Sequence, residues 1–329
     1  MGTRKDARME RPKIQDVARQ AGVSTGTVSR VLNGRPGVSA STRELVEAEI
    51  RRLGYRPDMA ARTLSLQPKM LGVSLSARAR RLTPFLMLFI EHLLERTRED
   101  GYLLTEVPAG PDGLPESLAD GMILHGAHDD DPRLEYLEAA GVPFVLVGHA
   151  EGVRWVMPDD HDGGLQATRH LIRLGHREII HLGGQMDQQA FQDRYRGYRD
   201  ALLEAGTEPQ RRLLLDGDFT TLSAYRAVRR AFEDGVRATA LFAASDEMAV
   251  GAIAAIEDVG LRVPLDVSVV GFDDLPEVGE GLTTIRQDIG RICETAVLLL
   301  REGLALQPVR NVTLPVQLIV RGTTARRRE

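Results

Sequence analysis

The sequence predicts an α/β protein: a small all-α head followed by two doubly wound parallel-sheet lobes. Apolar residues recur at helical spacing through the first 53 positions, and from Met70 onward short apolar runs alternate with amphipathic stretches. At 329 residues the chain also exceeds what one hydrophobic core usually spans.

Charge is divided unevenly. Residues 1–66 hold 13 of the 42 Lys and Arg but 7 of the 47 Asp and Glu, so a basic head precedes an acidic body. That asymmetry points to a module facing nucleic acid on an acidic carrier. The one cysteine, Cys293, forms no internal disulfide, and no secretory signal or membrane-length apolar run is visible. A reducing cytoplasm is the expected setting.

In the head, residues 1–12 are a charged tail. Ile14, Val17, Ala18 and Ala21 share one helical stripe that stops at Gly22, and the pattern resumes with Val28, Val31 and Leu32. Ser24 is placed to cap this second helix, and Asn33-Gly34 to end it. A third helix is expected from about Ala40, capped by Ser39, with Leu45, Val46, Ile50 and Leu53 on one stripe. Two helices joined by a tight turn and braced by a third make a helix-turn-helix domain over residues 13–56. Residues 57–69 then allow about two turns of helix before Pro68, too short to be stable alone in water.

The body reads as strand candidates "MLGVSL", "YLLTEV", "GMILHG", "PFVLVG", "WVMP", "EIIHLGG", "LLLDGD", "ALFAAS" and "VSVVGFDD". Helices fall between them, among others at 84–99, 163–174, 193–205, 222–234 and 246–259. This rhythm means parallel sheets with helices on both faces, and some 260 residues of it divide naturally into two lobes. The helix "PFLMLFIEHLL" is apolar nearly all round, which fits burial against the sheet on one side and a second protomer on the other, or enclosure within its own lobe.

These stretches resemble the lactose-repressor (LacI) family of bacterial transcription regulators. In the head the likeness lies in "IQDVARQAGVS", "TVSRVLNG", "VSASTRELVEAEIRRLGYRPD" and "AARTL". In the body it lies in "HLIRLGHREIIHLGG", "RYRGYRDAL", "SDEMAVGAIAAIEDVGLRVPLDVSVVGFDD" and "LTTIRQD". The resemblance runs from Lys13 to Thr324. It implies a dimeric repressor of the type I periplasmic-binding-protein fold, with a hinge helix and linker at 57–69 and an effector-binding and dimerisation domain at 70–329. The lobes would be about 70–158 with 289–316, and 159–288 with 317–329. One departure is the short "PAGPDGLPESLAD" at 108–120, where the family usually carries a full helix, so a turn is expected there.

For DNA, the resemblance implies a recognition helix entering the major groove. Thr25, Gly26 and Arg30 fall on its outer side. Arg30 suits a bidentate contact to guanine, or else a phosphate contact or a salt bridge within the module, while Thr27 and Ser29 suit phosphates. Asn33 and Arg62 complete the candidate contacts. Leu64 stands where the family places a minor-groove wedge, the alternative being simple packing of its short helix. Gly26 gives up a side chain where family members commonly read a base.

The effector candidates sit at strand ends, where open parallel sheets bind ligands. Arg194 and Asp273 match family positions that fix ligand hydroxyls or a ring edge. Phe219 matches an aromatic against one ligand face, or is core; Ser245 and Gln287 are further candidates, and Asp246 either meets ligand or caps its helix. Gly148 and His149 stand where many sugar-binding members have an acid. Histidines 125, 128, 149 and 161 raise a metal reading, but their spacing fits no specific site and solvated loops account for them. No metal or cofactor is therefore expected.

The partners implied are pseudo-palindromic operator DNA, a second protomer and a small effector, a sugar or sugar derivative, with a purine or nucleoside corepressor as the alternative. An enzyme is disfavoured by the lack of phosphate-loop, dinucleotide-loop and nucleophile-elbow motifs. A transport binding protein would carry a signal peptide and no basic head.

Overall fold

The computed structural model describes residues 14–32, 38–53, 69–76, 83–184, 188–276, 278 and 281–327. The chain forms two compact units, Met1–Pro68 and Lys69–Glu329.

In the first unit, α1 (Ile14–Gln20), α2 (Thr25–Leu32) and α3 (Ala40–Leu53) enclose Val17, Ala18, Ala21, Val28, Val31 and Val46. Gly22 takes a φ of +64°, which lets the chain reverse between α1 and α2 without a Cβ penalty. Ser24 Oγ accepts the N–H of Thr27 at 3.1 Å, and Ser39 Oγ that of Thr42 at 3.2 Å, so both expected caps form. Leu45 leaves the stripe assigned to it and is 49% exposed. At 100° per residue it lies about 80–140° around the helix from Val46, Ile50 and Leu53, which do pack on the core.

The second unit holds two six-stranded sheets. The first contains β1 (Met70–Leu75), β2 (Leu103–Glu106), β3 (Gly121–His125), β4 (Phe144–Val147), β5 (Trp155–Pro158) and β11 (Asn311–Leu314), in the order β11-β5-β4-β3-β1-β2. Helices α4 (Pro84–Glu99), α5 (Pro132–Ala139) and α10 (Ile289–Leu304) belong to this lobe. Leu71, Val73 and Ile123 pack with Leu86 and Phe89 of α4 and Val297 and Leu300 of α10, while Met122, Leu124 and Leu146 pack with Leu137 of α5. Successive strand residues thus bury opposite faces.

The second sheet contains β6 (Ile179–Gly183), β7 (Leu214–Asp216), β8 (Ala240–Ala243), β9 (Ser268–Asp273), β10 (Thr283–Arg286) and β12 (Gln317–Ile319), in the order β12-β10-β9-β8-β6-β7. Only β12 runs antiparallel, against β10. Helices α6 (Asp160–Arg173) and α7 (Gln189–Glu204) cover the face that bears Ile179, Phe242 and Val270; α8 (Thr221–Glu233) and α9 (Asp246–Asp258) cover the face that bears Ile180, Leu241 and Val269. The chain passes between lobes after β5, β10 and β11.

Helix α4 occupies the span read from the sequence, with Pro84 at its first turn and Thr83 Oγ1 accepting the N–H of Leu86 at 3.2 Å. Leu86, Phe89 and Leu93 are buried, whereas Met87 and Leu94 are 61% and 40% exposed, so this helix is not enclosed by its own lobe. Between β2 and β3 residues 108–120 turn without a helix: Ala109 bridges Pro115, and the N–H of Gly110 donates to the carbonyl of Leu114 at 2.8 Å. Helix α6 begins three residues earlier than its apolar pattern, because Asp159 caps it through the N–H of Asp162 at 2.9 Å.

Candidate effector cleft and DNA-facing helix

On α2, Val28 and Val31 are buried while Thr25 and Gly26 are exposed. Thr27 is half-buried, its hydroxyl 3.0 Å from that of Ser24. A Cβ on Gly26 would meet only Ser24 Oγ, at an ordinary 3.6 Å, so nothing among the described residues of the head requires glycine there. Ser29 and Arg30 lie on the same helix; their side chains fall outside the described atoms, as do Asn33, Arg62 and Leu64 altogether.

Between the lobes of the body lies a cleft of about 500 Å³ at the carboxyl ends of both sheets. Its centre is Arg194, one turn into α7 and 5% exposed. The guanidinium donates through Nε to Asp160 Oδ1 at 2.7 Å and through Nη1 to the carbonyl of Ala244 at 2.6 Å. Nη1 also stands 3.7 Å from Asp273 Oδ1, and the Arg194 Cζ lies 3.7 Å from the centre of the Phe272 ring. Asp273 Oδ1 accepts Gln287 Nε2 at 2.5 Å. Burial raises the pKa of Asp160 and of Asp273, and Arg194 opposes both shifts. One cation held by two carboxylates presents fixed donors and acceptors in a space of low polarity, which is what discriminates hydroxyl geometry.

The chain bends sharply where it lines this cleft. Asp218, Phe219 and Asp273 have φ values of 44°, 52° and 121°, and Gly148 has 142°. These are conformations that L side chains adopt at a cost, and such costs gather at ligand sites. Phe219 is half-buried, with its ring centre 3.6 Å from that of Phe191. A Cβ at Gly148 would fall 2.4 Å from Ala127 Cβ in the same lobe and 2.8 Å from Gln189 Oε1 across the cleft, so the close approach of the Ala127 loop, together with the positive φ, demands glycine.

Six of the seven expected effector residues line the cleft: Arg194, Asp273, Phe219, Ser245, Gln287 and His149. Asp246 does not. It is 1% exposed, accepting Thr284 Oγ1 at 2.5 Å and the N–H of Leu275 at 2.9 Å, and so ties α9 to β10. Ser245 is the cap, its Oγ accepting the N–H of Met248 at 3.2 Å.

An acid does stand beside His149, on the opposite lobe. His149 Nε2 lies 3.3 Å from Asp193 Oδ2. Gln189 also takes the backbone N–H of His149 on Oε1 at 3.0 Å and donates Nε2 to its carbonyl at 2.8 Å. Burial and the nearby Arg196 lower the His149 pKa. Sequence reasoning missed Gln189, Asp193, Asp160 and Glu247 as cleft residues, and it placed His125 in a solvated loop, whereas that residue ends β3 and is buried among aromatic rings; the signal available was that Gln189 and Asp193 share the first turns of α7 with Arg194. His125 packs against Phe89 and Phe85, ring centres 4.9 and 5.9 Å away, and burial lowers its pKa to about 4. The four histidines are not gathered: His161 pairs with Asp200 at 2.9 Å, and among the described residues no group of three metal-ligating side chains converges. Among the same residues no helix is long and apolar enough to cross a membrane.

A helix-turn-helix head joined to a two-lobed, cleft-bearing body defines a ligand-responsive regulator class. The head, residues 13–58, matches the model for bacterial regulatory proteins of the lacI family, and residues 168–324 match a periplasmic binding protein-like domain. The chain is 38% identical to the HTH-type transcriptional regulator CelR of Thermobifida fusca, over 95% of this chain and 98% of that one. It is 32% identical to the HTH-type transcriptional repressor PurR of Erwinia tasmaniensis, over 92% and 93%. Among solved structures, the CelR–cellobiose complex matches with a TM-score of 0.71 and 33% identity, over 95% of this chain and 100% of that one. The lac repressor dimer bound to operator and the anti-inducer ONPF matches with 0.71 and 29%, over 96% and 100%. The chain belongs to the LacI family: it is a transcriptional regulator, not an enzyme.

Proposed function

We propose that this protein is a cytoplasmic repressor that binds a pseudo-palindromic operator as a dimer and is controlled by a sugar or sugar derivative held between its lobes. The observation that carries the effector reading is the buried Arg194, Asp273 and Gln287 network facing the Phe219 ring. It offers paired donors and acceptors beside an apolar face, the combination a polyol ring needs. Ser245 and His149 complete the contacts, and the cellobiose complex of a 33%-identical relative supports the sugar class.

On DNA, Thr25 and Arg30 read bases, Gly26 offers a bare backbone for close approach, Thr27, Ser29, Asn33 and Arg62 hold the backbone, and Leu64 wedges a base step. The dimer reading is supported by the exposed Met87 and Leu94 of α4 and by the dimeric form of the operator-bound relative. Effector binding biases the lobe angle and with it the spacing of the two DNA-entering segments, a population shift. A purine or nucleoside corepressor is the second reading, favoured by the Phe191 and Phe219 pair and by the PurR likeness.

A thermal-shift screen of the full chain against cellobiose, maltose, guanine, hypoxanthine and adenosine tests it, followed by a gel shift with each hit. A sugar hit that alters operator retention supports the first reading. Hits confined to purines replace it with the second, and no operator retention under any condition refutes both.

A further inference from the structure

The cleft contains a buried carboxylate that neither the network around Arg194 nor the His149–Asp193 pair uses. Glu247 stands in the first turn of α9 and lines the cleft from the second lobe. Its Oε1 is buried and has no hydrogen-bond partner among the described residues. Across the cleft the backbone N–H of Phe85, at the start of α4, favours the charged form of this carboxylate. Burial and the adjacent Asp246 push its pKa up to about 7, as expected of a buried acid without a cation.

The surrounding charge is one-sided. Asp160, Asp193, Asp218, Glu247 and Asp273 all line the cleft, and Arg194 is the one permanent cation among the described lining residues. Its Nε and Nη1 are already engaged by Asp160, Ala244 and Asp273. His125 and His149 are both shifted toward the neutral form by burial. A phosphate entering here would meet acidic neighbours and a guanidinium mostly spoken for, whereas a hydroxyl or N–H would find a ready acceptor. The competing feature is the first turn of α7, which has no side-chain cap; there the N–H groups of Gln189 and Phe191 already donate to the carbonyls of Ala127 and Gln188, and the carboxylate of Asp193 opposes an anion in the next turn.

We propose that Glu247 is a further effector contact, accepting a ligand hydroxyl or N–H on Oε1, and that it makes the cleft select uncharged effectors over phosphorylated ones. This rests on reading the cleft as the effector site, and it does not require the effector to be a sugar.

The test is calorimetric titration of the full chain with matched pairs: cellobiose and cellobiose 6-phosphate, trehalose and trehalose 6-phosphate, adenosine and adenosine 5′-monophosphate. At least one neutral member binds tenfold or more tighter than its phosphorylated counterpart. Glu247→Gln, which is isosteric and checked for an unchanged melting temperature, lowers that ratio at least fivefold; Glu247→Ala weakens the neutral ligand about tenfold. If adenosine binds and neither sugar does, the sugar reading fails while the selection by charge stands, provided the ratio falls in Glu247→Gln. A phosphorylated member binding as tightly as its parent, an unchanged ratio in Glu247→Gln, or no neutral member binding overturns the proposal.

Discussion

Replacing Gly164 by alanine joins helix packing to the effector site in one perturbation. Helices α6 and α7 cross at Gly164 and Gly197, where backbone meets backbone. A Cβ on Gly164 would lie 2.2 Å from the carbonyl oxygen of Arg194, and one on Gly197 would lie 2.1 Å from that of His161. Ordinary Cβ contacts begin near 3.4 Å, so α7 must withdraw by about 1 Å. The obstacle is backbone and no rotamer change relieves it, which puts the overpacking cost near about 3 kcal/mol. Alanine in a helix interior returns about 1 kcal/mol. The net loss of about 2 kcal/mol corresponds to a fall of about 4–8 °C in melting temperature for a domain of this size. Because the displaced carbonyl belongs to Arg194, its 2.7 Å contact with Asp160 is disturbed too, and effector affinity falls about tenfold. Differential scanning fluorimetry and effector titration read both effects. Gly164→Ala with Gly197→Ala supplies an internal check: one withdrawal of α7 accommodates both methyls, so the double variant costs clearly less than the sum of the singles. A melting temperature within about 1 °C of the parent, or strictly additive singles, would refute the reasoning.

Three further outcomes are expected. Asp246→Ala orphans Thr284 Oγ1 and the N–H of Leu275 and destabilises the body by about 2 kcal/mol in urea melts, while Phe219→Ala does the reverse, weakening effector binding with little change in stability. His181 is buried against Tyr198, Phe242 and Tyr195, and burial lowers its pKa from 6.5 to about 3. The folded state therefore keeps it neutral while the unfolded chain protonates it below pH 6.5, so its contribution is intact above that pH and drains away as pH falls toward 3, by about 2 kcal/mol at pH 5. His181→Phe flattens that acid limb in melting curves between pH 5 and 8, and an unchanged difference between variant and parent across this range would count against it. Gly26→Ala leaves the head at least as stable as before, because the added methyl touches only Ser24 Oγ, so any loss of operator affinity in anisotropy titrations at fixed salt reports close approach to DNA; no loss marks the position as unread.

What the sequence made legible follows from what each residue's surroundings had in common with its neighbours in the chain. Strands β6, β8 and β9 are buried on both faces, so they had to be continuous apolar runs, and they read as such. Strand β10 is equally central, yet Thr283 and Thr284 at 0% exposure read as polar, because their hydroxyls are satisfied by Thr324 and Asp246, far away in sequence. The edge strands β11 and β12 are short and half-exposed and carry little pattern. The site divides the same way. Arg194 and Asp273 occupy strand-end and helix-start positions that topology alone marks as ligand-facing. Gln189 and Asp193 become cleft residues only when the loop at His149, some 40 positions earlier, is brought across by lobe approach. The sharpest instance is the pair Asp246 and Glu247. Two acids sit side by side at the start of α9, and a rotation of 100° sends the first inward to Thr284 and the second into the cleft. Which of the two would face a ligand was a question of helix phase against a sheet whose neighbouring strand, β10, the sequence did not reveal. That is why the sequence left Asp246 open between ligand contact and helix cap, and why Glu247 beside it was not singled out.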